Sequence, residues 1–169
     1  MIEINNKTKS KIDLRLVKGV AQKFLTYYNK GRRLAATNGD HANVNKGIRL
    51  AAIPQYCGSD HANVDRVELS IAFVGDKIIR DLNKVYRGID KTTDILTFSG
   101  EDKFLGEVII DYAQIKRQAK KFNNSIKKEL IFILVHGLLH LLGYDDKTEK
   151  GRLEMEEMGE EFIKVIGNL

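Results

Sequence analysis

The chain carries one cysteine, one proline and no tryptophan in 169 residues. A lone Cys57 excludes an internal disulfide and a thiolate metal cluster, so a disulfide-stapled secreted scaffold and a cysteine-rich zinc module both fall away. Any metal site must be built from histidine and carboxylate. Long apolar runs are missing too. The longest, Leu130 to Val135, is far short of the roughly 20 residues that cross a bilayer. The opening MIEINNKTKSK has no apolar signal core. A cytoplasmic protein without a membrane segment is the expectation.

Apolar residues at 43% and charged residues at 30% form an ordinary globular balance that excludes disorder and a coiled coil. The length fits one domain, residues 1–169. The net charge of +5 and pI near 9.2 favour polyanionic partners. Basic residues gather at Lys7, Lys9 and Lys11, at Arg32 and Arg33, and from Lys116 through Lys128, whereas Glu154 to Glu161 is acidic.

Periodicity predicts a helix from about Leu14 to Tyr28, where Leu14, Val17, Val20, Ala21, Phe24, Leu25 and Tyr28 recur at three- and four-residue steps. Residues 29–65 are polar, hold Pro54, and read as a loop insertion with an internal duplication. Arg33-Leu34-Ala35-Ala36 and Asp40-His41-Ala42-Asn43-Val44 return as Arg49-Leu50-Ala51-Ala52 and Asp60-His61-Ala62-Asn63-Val64. Two copies are too few for a solenoid. A strand is predicted over Val67 to Val74, then a helix opened by Asp76 with Ile78, Ile79, Leu82 and Val85 on one side. Two short strands follow, Asp94 to Phe98 and Glu107 to Asp111. Tyr112 to Phe122 reads as a basic amphipathic helix, and Ile126 to Leu142 as a helix apolar nearly all round, hence central. Gly143 ends it, and Thr148 to Ile166 forms a last helix with Leu153, Met155, Met158, Phe162 and Val165 available for packing. The expected fold is α+β, a small mixed sheet around a central histidine-bearing helix.

That helix carries HGLLHLLGYDD. Residues four apart on a helix share a face about 6 Å apart, so His136 and His140 can reach one ion. Asp145 or Asp146, just past the glycine turn, could close a third position and leave the site open, as catalytic zinc sites are. Inert core histidines are the alternative, but two in so apolar a helix are costly unless satisfied. His41 and His61 lie in the polar repeat without ligand spacing and read as surface residues. The metalloprotease pattern HExxH places its general base directly after the first histidine; Gly137 stands there, which disfavours peptide hydrolysis.

These residues resemble the YbeY family of bacterial endoribonucleases involved in ribosomal RNA maturation, whose signature runs HGxLHLxGYDH. The resemblance extends in order through SIAFV, LNKVYRG, KTTDILTF and LGEVIID, covering Glu68 to Asp145. It implies a metal-dependent, single-strand-specific endoribonuclease that acts in ribosomal RNA maturation and quality control with one divalent ion, zinc foremost. Its partners would be single-stranded or ribosomal RNA and ribosomal subunit proteins. Two signature histidines fall on His136 and His140; the third falls on Asp146, a carboxylate that remains an acceptable zinc ligand. Arg87 matches the arginine of the YRG segment, implied to act in substrate binding or catalysis, a role that suits guanidinium chemistry toward phosphate. Thr93, Asp94 and Asp145 are expected to support the ligands from behind. The basic helix, with Lys116, Arg117, Lys120 and Lys121, could track an RNA backbone. A non-catalytic RNA- or ribosome-binding factor with a weakened metal site is the alternative.

Overall fold

A computed structural model of the chain describes residues 1–38 and 67–167. In chain order the elements are β1 (Ile2–Asn6), α1 (Leu14–Asn38), β2 (Glu68–Val74), α2 (Asp76–Arg87), β3 (Ile95–Ser99), β4 (Phe104–Asp111), α3 (Tyr112–Lys121), α4 (Ile126–Leu141) and α5 (Glu149–Ile166). The strands form one mixed sheet in the order β1-β2-β4-β3. β1 and β4 run parallel to β2, and β3 pairs antiparallel with β4. The architecture is α+β, as the patterning predicts.

Alternation decides which face of the sheet is buried. Leu69, Ile71 and Phe73 of β2 and Val108 and Ile110 of β4 point into the main core, where α1, α4 and α5 pack. α4 buries Leu130, Ile131, Ile133, Leu134, Val135, Leu138, Leu139 and Leu141, and it meets α1, α3, α5, β3 and β4. A helix apolar on every side is stable only when enclosed like this. Phe24 of α1 meets Phe162 of α5 edge-on, ring centroids 5.2 Å apart.

The opposite face is thin. Val74, Ile79, Leu96 and Ile109 form a small second cluster under α2. The predicted apolar side of α2 needs correction here. The buried line runs through Ile79 and Asn83, with Asn83 donating to the Lys91 carbonyl at 2.8 Å, while Ile78 and Val85 are exposed. A 100° step per residue puts Ile78 and Val85 on the flank of that line. α5 shows the same effect: Met155, Met158 and Phe162 are buried, but Leu153 and Val165 face solvent.

One strand is added and several boundaries move. β1 was not anticipated; it aligns Ile2 with Leu69 and Ile4 with Ile71. β4 begins three residues before Glu107. α1 continues to Asn38, so Arg33 to Ala36, read as loop, are helical. The rest of the duplicated segment, with His41, Cys57 and His61, lies outside the described residues. No described helix is long and apolar enough to cross a membrane.

At the carboxyl ends of β2 and β4, Asp111 caps α3, its Oδ1 accepting from the amides of Ala113 and Gln114 at 2.9 and 3.3 Å. Its Oδ2 lies 3.5 Å from the Arg117 guanidinium, which also grips Asp76 through two hydrogen bonds of 2.6 and 3.1 Å. Full burial, reinforced by the Asp76 carboxylate, pushes the Asp111 carboxyl up to about 6.

Candidate metal centre

α4 is aimed by its packing. Gly137 faces the sheet, where a Cβ would come within 2.3 Å of Ile95 Cδ1. The residue that lets the helix approach β3 is thus the one standing in the protease glutamate's place; a carboxylate there would point into the sheet. With Gly137 turned inward, His136 and His140 project from a different side of the helix, half-buried.

The turn after α4 completes the arrangement. Gly143 adopts φ 92°, a left-handed conformation that glycine enters without a Cβ clash. The Gly143 and Tyr144 amides donate back to the His140 and Leu139 carbonyls at 2.9 and 3.1 Å. This folding sets the Tyr144 carbonyl 2.9 Å from His140 Nδ1. A carbonyl only accepts, so Nδ1 of His140 carries the proton and its Nε2 presents a lone pair. That Nε2 lies 3.1 Å from His136 Nε2. Asp146 reaches the pair from the turn, its carboxylate oxygens 3.5 Å from His136 Nε2 and 3.9 Å from His140 Nε2. One ligand atom from each of the three residues falls within 4.8 Å of the others.

These spacings fit a divalent ion. Two imidazole nitrogens on one tetrahedral zinc stand about 3.3 Å apart, given Zn–N bonds of about 2.0–2.1 Å. The protonation states also fit. Burial, followed by the neighbouring His140, lowers the proton affinity of His136, against the opposing pull of Asp146, Asp94 and Glu156. The imidazole is held in the neutral form that ligates metals. Two histidines and one carboxylate make a set suited to zinc and tolerant of harder ions, and three protein ligands leave a fourth coordination position to fill.

The other expected residues separate. Asp145 turns to solvent, pairing with Lys147 Nζ at 2.7 Å and accepting from the Lys147 amide. Asp94 accepts from the Ile95 amide at 2.9 Å, the Thr93 hydroxyl at 3.1 Å and Gln118 Nε2 at 2.9 Å. Asp94 is thus a fixed negative charge near enough to act on His136. Glu156 of α5 acts in the same direction and was not anticipated, since its acidic stretch looks like a solvated surface. Arg87 is exposed at the end of α2, with no hydrogen bond or ion pair among the described residues. On the basic helix, Arg117 is committed to Asp76, Lys116 lies over the Tyr112 ring at 4.9 Å and Lys121 over the Phe122 ring at 5.2 Å, and Lys120 is exposed.

The family model and the curated relatives agree on one family. The family model described as endoribonuclease YbeY matches residues 36–167. An endoribonuclease YbeY of Finegoldia magna is 37% identical over 132 residues, covering 75% of this chain and 82% of that protein. One of Moorella thermoacetica is 40% identical over 114 residues, covering 59% and 73% respectively. Among solved structures, the solution structure of TM1509 from Thermotoga maritima superposes with a TM-score of 0.53 at 24% identity, over 96% of this chain and 89% of that one, a likeness of fold.

Proposed function

The chain belongs to the endoribonuclease YbeY family, and from that premise we propose that it cleaves single-stranded RNA during ribosomal RNA maturation in the cytoplasm, using one divalent ion, zinc foremost, held by His136, His140 and Asp146. Ribosomal RNA and ribosomal subunit proteins are its partners in this reading. The observation that carries it is the convergence within 4.8 Å of two histidine nitrogens, on a helix whose aim is set by Gly137, with a carboxylate from the turn that follows.

Each group has a distinct task. His140, fixed by the Tyr144 carbonyl, offers a lone pair with no rotamer search. His136 offers the second in its neutral form, and Asp146 contributes a negative charge that tightens cation binding and tempers its electrophilicity. When bound, a divalent ion supplies Lewis acidity, which acidifies water and offsets charge on a phosphoryl oxygen. Arg87, unpaired among the described residues, is free to donate to phosphate oxygens, which it would do in bidentate fashion. Asp94, held by three donors, acts on His136 through its charge and not as a ligand.

The deciding experiment is elemental analysis of the purified protein beside metal-titrated cleavage of an unpaired RNA, repeated with His140→Ala. Metal-dependent cleavage lost in that variant supports the reading. The second reading, a non-catalytic RNA- or ribosome-binding factor, is favoured by one feature, the aspartate at the third signature position, and RNA binding without turnover at any metal concentration would select it.

A further inference from the structure

Tyr86 is large, aromatic and 63% exposed, yet it is not randomly placed. It continues the buried line of α2, following Ile79 and Asn83 at steps of four and three residues. One turn too far along to be covered by the sheet, its ring instead rests on Phe98 of β3, centroids 4.8 Å apart and planes at 68°. Such an edge-on contact immobilises the ring while leaving aromatic surface open.

Its position matters because β3 is the edge of the sheet. Phe98 points to the α2 side, whereas Thr97 and Ile95 point to the α4 side, where they touch Gly137 beside His136. The ring and the histidine-bearing helix α4 therefore pack against the same edge strand from opposite faces. Between them in sequence stands Arg87, exposed and without an ion pair among the described residues. Lys84 and Arg80, one and two turns before Arg87, both pair with Asp90, and Asp81 acts on Arg80 as well. An open aromatic ring beside uncompensated positive charge fits a base with its phosphate, and it does not fit an apolar partner helix.

We infer that Tyr86 is a stacking platform for an unpaired base of the RNA substrate, positioned by Phe98, and that it contributes to selection of single strands over duplexes. This rests on the reading of the chain as an RNA-cleaving enzyme. A duplex has its base faces already stacked and offers none to the ring, whereas an unpaired base gains a stacking partner without sequence preference.

Single-turnover cleavage of a short unpaired oligoadenylate by the metal-loaded protein separates half-saturating concentration from maximal rate. Tyr86→Ala is expected to raise the former about 5- to 150-fold, the range for loss of one base–aromatic stack, with the latter and the affinity for duplex RNA little changed. Tyr86→Phe should behave as wild type. Because the chain has no tryptophan, Tyr86→Trp supplies a sole indole reporter whose emission should be quenched by the oligonucleotide. Unchanged half-saturation in Tyr86→Ala, equal losses on single- and double-stranded RNA, or a Tyr86→Phe defect as large as that of alanine would each overturn the inference. Quenching in a protein that never cleaves RNA would instead sink the catalytic reading and leave the platform standing.

Discussion

Gly151 lies so close under the backbone carbonyl of Asp145 that a Cβ on it would sit 2.1 Å from that oxygen. The start of α5 is thereby wedged against the turn that delivers Asp146, and the Thr148 hydroxyl, accepting from the Gly151 amide at 3.0 Å, fixes the same corner. In Gly151→Ala the higher helix propensity of alanine, worth about 1 kcal/mol, is set against a backbone clash that only a shift of the turn relieves. The expected result is weaker zinc binding by competitive chelator titration, with no ligand touched. Gly159→Ala is the control: its Cβ would meet Val135 Cγ1 at an ordinary 3.8 Å, so zinc affinity should hold and the melting temperature should stay level or rise.

The two adjacent aspartates should behave oppositely. Asp146→Ala is expected to cost more than the 10- to 100-fold in metal affinity typical of losing a ligand's hydrogen-bond partner. Asp145→Ala, which releases only Lys147, should leave affinity within about twofold, as an exposed ion pair contributes little. Asp146→His, which restores the signature imidazole, should retain binding. Isothermal titration with zinc decides all three, and equal effects of the two alanine variants would remove Asp146 from the ligand set.

Arg87→Ala should lower RNA cleavage by about 10²- to 10³-fold if the guanidinium stabilises charge developing on phosphate, with metal content intact by elemental analysis. Activity equal to wild type would exclude Arg87 from the chemistry.

Away from the metal centre, the raised carboxyl of Asp111 makes stability depend on pH. Folding raises its proton affinity above that of the unfolded chain, about 3.9, so its favourable contribution is full below about pH 4 and is lost as pH rises through about 6. Asp76 shifts the other way, held down chiefly by its hydrogen bonds from Arg117, and its contribution is lost only below the usual carboxylate range. Asp111→Asn keeps an oxygen for the Ala113 and Gln114 amides and removes the buried charge. Its melting temperature should exceed that of wild type by a few degrees at pH 7.5 and much less at pH 4.5; equal differences at both pH values would show that Asp111 does not titrate in this window.

What the sequence made legible follows from the range of the forces involved. α4 was readable because a run apolar on all sides has one stable environment, and the His136–His140 spacing is a local property of a helix. The Asp111, Asp76 and Arg117 network was not, because its members meet only when the ends of two strands and a helix come together. β1 was obscured by brevity: Ile2 and Ile4 alternate with Glu3 and Asn5 for too few residues to stand out beside the polar stretch that follows. On α2 the apolar residues were visible but the direction of burial was not, since Asn83, a polar residue, occupies the buried line to satisfy the Lys91 carbonyl. Gly137 and Gly151 look alike as letters; only packing separates the glycine that admits β3 from the glycine that holds the turn bearing Asp146.

The partner of His140 Nδ1 is a main-chain carbonyl, and main chain cannot be mutated away. Any side chain at position 144 leaves the acceptor in place, so the tautomer of His140 is inherited from the shape of a turn and is insulated from drift in the residue that forms it. The vulnerable point moves one residue earlier, to Gly143 at φ 92°, where adding a single methyl group would disturb His140 without ever contacting it.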